Sequence, residues 1–171
     1  MSDKNEIEME MEMEMEMEIE IYTDGACSFN PGPGGYGVVM LYGEHRKELS
    51  QGYKLTTNNR MELLAIIVGL ENLKRPSSLT LYSDSKYVID SVEKGWVYKW
   101  QKNNWKRNKN EMAVNIDLWE RLLPLLEKND VKFVWVKGHA DNKENNRCDY
   151  LARMAIKDKD KSELLDDVNY K

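Results

Sequence analysis

Apolar residues recur along residues 19–156 with periods that alternate between strand and helix. An apolar stretch at 19–23 ends at Asp24, and turn-rich residues follow. Segments 36–42 and 48–55 then read as strands, so the first three strands form an antiparallel meander. Thr57, Asn58 and Asn59 are helix-capping candidates, and the pattern predicts a helix over 60–74 with Pro76 beyond its end. A buried strand at 79–83 and a helix from about Ser85 come next. Over 114–127, Ile116, Trp119, Leu122, Leu123 and Leu126 share one side of an amphipathic helix, whose last turn Pro124 is expected to weaken. Residues 131–136 form a last strand, 137–141 a loop and 142–156 a closing helix. Strands and helices in this order imply an α/β fold, a mixed sheet with helices on its faces.

The first twenty residues obey a different rule. Glu alternates with Ile7, the Met at 9, 11, 13, 15 and 17, and Ile19. Alternation is the strand period, yet Met and Glu favour helix. A strand from Ile7 to Tyr22 would span roughly 53 Å, far beyond the usual ~5–6 residues. Only residues 17–23 are therefore expected to join the domain sheet. The predicted layout is a leader at 1–16 outside the core, a domain at 17–157 and a charged, fraying tail at 158–171.

Charge follows the same division. The 171 residues carry a net −5, but the first twenty hold nine acids against Lys4. The remaining 151 hold 21 acids and 24 bases. The body is thus mildly basic, and the acidic average does not exclude a polyanionic partner. Two cysteines, Cys27 and Cys148, form neither a disulfide framework nor a metal-ligand motif. No run approaches the ~18 apolar residues of a membrane span, and the acidic N-terminus lacks the features of a signal peptide. These features predict a soluble, cytoplasmic protein.

Four acids stand where a carboxylate has no structural task. Asp24 and Asp84 each end a predicted strand, Glu62 interrupts the apolar run at 61–68, and Asp149 lies on the last helix beside Cys148 and Leu151. A buried carboxylate is costly unless protonated, hydrogen-bonded or bound to a cation, so four converging ones would describe a divalent-metal site. Taken singly, each has an ordinary explanation: turn or cap for Asp24 and Asp84, helix dipole for Glu62, polar helix face for Asp149. Spacing alone does not show that they meet.

A second constellation is KGWVYKWQKNNWKRNK at 94–109, with six bases, no acids, and Trp96, Tyr98, Trp100 and Trp105. Bases neutralise phosphates and aromatic rings offer faces to sugars or bases. The alternative is a solvated basic loop with some Trp packed inward. Glycines at 32–37 invite a phosphate-loop reading, but no Gly-Lys-Ser/Thr ending follows. His139 stands in a loop beside Gly138, where a histidine can shuttle protons; His45 reads as surface.

YTDGAC at 22–27, NPGPGGYG at 30–37, TTNNRMEL at 56–63, SDSKYV at 83–88, WVKGHA at 135–140 and NRCDYLA at 146–152 occur in this order. Together they resemble cellular type 1 ribonuclease H, in the bacterial form with a basic protrusion, over about residues 18–156. The resemblance implies a ribonuclease H-like fold, a five-stranded mixed sheet of order 3-2-1-4-5. It implies that Asp24, Glu62, Asp84 and Asp149 hold two Mg²⁺, with Mn²⁺ as a substitute, and that His139 assists turnover. Trp96, Trp100 and Trp105 match tryptophans of the DNA-gripping protrusion, with Lys99, Lys102, Lys106 and Arg107 as its bases. Cys27, Asn30, Asn58 and Asn59 match residues lining the RNA-strand groove, and Thr57 a DNA-phosphate pocket. Lys86 stands where close relatives often carry Gln near the RNA backbone.

The implied activity is hydrolysis of the RNA strand of an RNA–DNA hybrid, leaving 5′-phosphate and 3′-hydroxyl ends, by a monomer. A hybrid-binding module with weak or no catalysis is the alternative, against which all four carboxylates argue. Integrases and junction resolvases of the same fold lack the combination of TNNRME, GHA and a tryptophan-bearing protrusion.

Overall fold

Backbone pairing organises the chain around β1 (Ile19–Cys27), which is hydrogen-bonded on both sides. The computed structural model describes residues 5–9, 18–138, 141–157 and 164–170. Antiparallel to β1 runs β2 (Gly32–Tyr42), and antiparallel to β2 runs β3 (His45–Thr56). On the other side β4 (Ser78–Ser83) and then β5 (Asp130–Trp135) add in parallel. The order is β3-β2-β1-β4-β5, as the resemblance implied.

Among the described residues five helices complete the domain: α1 (Asn58–Glu71), α2 (Lys86–Glu93), α3 (Trp96–Lys102), α4 (Ile116–Lys128) and α5 (Lys143–Lys157). Side chains alternate across a strand, so β1 feeds two cores. Ile21, with Val38 and Leu81, packs into the larger core with Leu63, Ile66 and Ile67 of α1 and Trp119 and Leu122 of α4. Tyr22 and Val39 face the other way and pack with Cys148 of α5. Tyr22 stacks on Tyr82 at 4.3 Å between ring centroids. The helix around Glu62 is buried on most sides, so its apolar run lacks a polar face.

Four sequence expectations need correction. Asp24 does not end its strand: β1 continues through Gly25 to Cys27, paired with Gly34–Gly37 of β2. The glycines from 32 on are therefore strand, not connection. Gly37 lets α5 approach, since a Cβ there would collide with the Cys148 carbonyl. Pro124 does not shorten α4, which runs on to Lys128. The chain does not fray from Lys157 onward throughout. Leu165 bridges to Tyr53, with its N–H donating to the Gly52 carbonyl (3.0 Å) and its carbonyl accepting from Lys54 N–H (2.9 Å). Asp167 accepts from the Thr56 hydroxyl and the Arg60 guanidinium at 2.7 Å each. Asp167 thus gives buried Arg60 a second carboxylate beside Asp117.

In the leader, residues 5–9 are helical and exposed, following the propensity of Met and Glu rather than the alternation. Residues 10–17 lie outside the described residues. Among the described residues no helix is long and apolar enough to cross a membrane.

Candidate active site

Three elements bring three acids together. Asp24 comes from β1, Glu62 from the second turn of α1 and Asp84 from the residue after β4. One carboxylate oxygen from each lies within 4.8 Å of the others. Gly25 makes the approach of β1 to α1 feasible, because a Cβ there would stand 2.5 Å from the Glu62 amide nitrogen. Thr57 starts α1 in register by accepting from Arg60 N–H at 3.3 Å.

The ordinary explanations for these acids fail on geometry. Asp24 is inside a strand, not in a turn. Ser85, not Asp84, caps α2, its hydroxyl accepting from Val88 N–H at 3.3 Å. Among the described residues, Glu62 Oε2 and Asp84 Oδ1 are buried with no hydrogen-bond partner. Burial pushes the Asp24 carboxyl up to about 8, and the charges of Asp84 and Asp149 push the same way. The Gly25 N–H, donating to Asp24 Oδ1 at 2.9 Å, offsets only part of this. Burial raises Glu62 well above the carboxylate range, reinforced by Asp24 and Asp84. Orphaned buried oxygens and crowded like charges fit a divalent cation, which takes oxygen ligands and cancels the repulsion.

Asp149 lines the same 310 Å³ cavity but stands outside the tight trio, accepting from Arg153 Nε at 2.9 Å. Asn145 and Asn146 line it too, and sequence reasoning passed over both. A signal existed for Asn145: it shares the buried stripe of α5 with Cys148 and Ala152, at i, i+3 and i+7. Among the described residues its side-chain oxygen is buried without a partner. His139 lies outside the described residues; the neighbouring Gly138 backs onto the Asp84 carboxylate.

The other sequence candidates do not all line this cavity. Cys27 and Asn58 line it directly. Asn30 and Thr57 line a separate 580 Å³ hollow with Asn59 and Tyr170, and Asn30 Oδ1 accepts from Asn58 N–H at 3.2 Å. Around α3, Lys99, Lys102, Lys106 and Arg107 are exposed. Trp100 and Trp105 pack against the core, Trp100 edge-on to Trp119 at 6.2 Å, while Trp96 stays 40% exposed. The bases are also not all unpaired, since Arg107 bonds Glu111 and Lys94 lies 3.5 Å from Asp90.

Comparison with known proteins agrees with this geometry. The RNase H family model matches residues 16–157. A protein named Ribonuclease H from Syntrophus aciditrophicus is 67% identical over 79% of this chain and 78% of its own length. Another of that name from Trichodesmium erythraeum is 58% identical over 88% of this chain and 94% of its own. Among solved structures, LC9-RNase H1, a type 1 RNase H with the type 2 active-site motif, gives a TM-score of 0.73 at 28% identity. It covers 82% of this chain, and the match spans 72% of that protein. The sheet order that the resemblance implied, a cluster of acids from three elements and a family match across most of the sequence agree: the chain belongs to the RNase H family.

Proposed function

We propose that this protein is an endoribonuclease that hydrolyses the RNA strand of RNA–DNA hybrids, with Asp24, Glu62, Asp84 and Asp149 as ligands of two Mg²⁺, replaceable by Mn²⁺. The observation that carries the reading is the trio of carboxylates within 4.8 Å, two with orphaned buried oxygens. Such a cluster destabilises the fold unless its charge is used. Divalent cations bound there supply charge that activates water and stabilises the leaving 3′ oxygen.

The chain's own groups have distinct tasks. Asp24 and Glu62 would hold the cations through their carboxylate oxygens, whose crowded charge the cations would offset. Asp149, tied to Arg153, closes the cavity from α5. Cys27 and Asn58 in the trio's cavity, with Asn30 and Asn59 in the separate hollow, meet the RNA strand, where donors and acceptors can distinguish a 2′-hydroxyl from its absence. Thr57 contacts the DNA strand, and Lys86 faces the RNA backbone. The exposed bases near α3 and the face of Trp96 hold the duplex, Trp100 and Trp105 supporting them from beneath. His139, which follows Gly138 in the sequence, moves a proton during turnover. The leader at 1–16 and the residues after 157 flank the catalytic domain. The two cysteines form no disulfide, which suits a reducing cytoplasm, where the enzyme acts as a monomer.

An end-labelled RNA–DNA hybrid tests the proposal. Cleavage of the RNA strand that requires Mg²⁺, leaves the DNA strand intact and yields ligatable 5′-phosphate ends is the expected result. Binding without cleavage would establish a hybrid-binding module instead.

A further inference from the structure

Trp135, the last residue of β5, is 44% exposed although it is large and apolar. Its two chemical faces are both engaged. The indole N–H donates to the Asp84 backbone carbonyl at 3.1 Å. The ring carries the Lys86 ammonium, 4.7 Å from its centroid. Thus one side chain touches the residue that supplies a carboxylate to the trio and the base two positions later.

Lys86 is poorly explained by stability. It is the first residue of α2, where the helix dipole disfavours a cation. Among the described residues it makes no ion pair with a carboxylate. Its long stem would otherwise sample many directions, and the aromatic face selects one. The backbone around it is fixed as well: Ser83 Oγ accepts from Ser85 N–H at 3.1 Å, and Val136 N–H donates to the Ser83 carbonyl at 2.9 Å.

We propose that Trp135 is a positioning residue, whose indole face holds the Lys86 ammonium at the Asp84 side of the active site for a backbone phosphate of the bound hybrid. This rests on the reading of Lys86 as a substrate contact. The indole N–H anchors the platform to Asp84, so the phosphate contact and the carboxylate trio keep one mutual geometry. Trp135 touches neither phosphate nor reacting atoms itself.

Equilibrium binding of an RNA–DNA hybrid to the full chain, without divalent metal and over a range of salt, separates the possibilities. Lys86→Gln is expected to lower the log–log salt slope by about 0.9, the change for one phosphate left without its cation. Trp135→Leu is expected to lower it by the same amount, and the double variant by no more than either alone. Trp135→Phe, which keeps an aromatic face and loses the N–H, is expected to retain the wild-type slope. If Trp135→Leu perturbs folding in a thermal melt, Trp135→Thr, suited to an exposed strand, makes the same forecast. A wild-type slope in the Leu or Thr variant, beside a lowered slope in Lys86→Gln, overturns the positioning role. An unchanged slope in Lys86→Gln overturns the substrate-contact reading and the proposal with it. A lowered slope in Trp135→Phe would assign the effect to the N–H and overturn the role of the ring face.

Discussion

Asp24 is an acid that burial and its neighbours turn into a weak one, and this has a measurable sign. Below 3.8 both folded and unfolded chains hold the proton; between 3.8 and about 8 only the folded chain does. Stability without metal therefore falls as pH rises through this window. Thermal melts in chelator are expected to show a lower Tm at pH 8.5 than at pH 5.5. Mg²⁺ is expected to reduce the difference, and Asp24→Asn to reduce it too, since the amide cannot ionise while Glu62, raised as well, still can. That variant, like Glu62→Gln, is expected to lose cleavage while still binding hybrid and to melt higher than wild type in chelator at pH 8.5. His139→Ala is expected to slow turnover roughly 100-fold, the low end for a missing acid–base group, without changing the metal requirement. Rates at saturating hybrid check this. These acids were legible in the sequence as misplaced carboxylates. Their convergence was not, because it depends on Gly25 admitting α1 against β1, an approach between residues 37 positions apart.

The elements were legible wherever burial set the pattern, as in α1 and β4. They were misjudged where local signals competed with packing. Glycine and proline at 31–35 suggested a loop, yet hydrogen bonding to β1 and the press of α5 make most of it strand. In the basic protrusion, sequence alone could not divide its tryptophans between core and solvent. Trp100 lies on Trp119 and Trp96 is exposed, so the two make different forecasts. Trp100→Ala is expected to cost about 3 kcal/mol or somewhat less, since the ring is only partly buried. Trp96→Ala is expected to weaken hybrid binding with little change in Tm or salt slope. Replacing Lys99, Lys102, Lys106 and Arg107 with Gln is expected to flatten the slope by about 0.9 for each phosphate that is no longer neutralised. Arg107 contributes least, because Glu111 already answers it. Binding titrations at several salt concentrations, beside thermal melts, distinguish these cases.

At the scale of the molecule, one arginine ties together stretches far apart in sequence. Arg60 of α1 donates to Asp117 at the start of α4 (2.8 and 2.7 Å) and to Asp167 beyond α5 (2.7 and 2.9 Å). The charge is buried yet paired on both sides, which holds the Asp117 carboxyl below its ordinary value. Asp167→Asn is expected to cost about 2 kcal/mol, the worth of hydrogen bonds to a charged group, and to lower Tm by roughly 4–8 °C. Deleting residues 2–16 is expected to leave Tm nearly unchanged, as the sheet begins at Ile19. Sequence could not reveal the Arg60 network, because charge pairing over such separations leaves no periodicity. The docked tail has a further consequence, through β3. That strand is an edge of the sheet, and Leu165 occupies its Gly52 carbonyl and Lys54 N–H. An uncovered strand edge is a template for adding another chain. Truncation before residue 164 would thus open a sticky border, and light scattering is expected to show concentration-dependent self-association. Asp167→Asn loosens the same tail without removing Leu165, and its solutions are expected to stay monodisperse below the melting range.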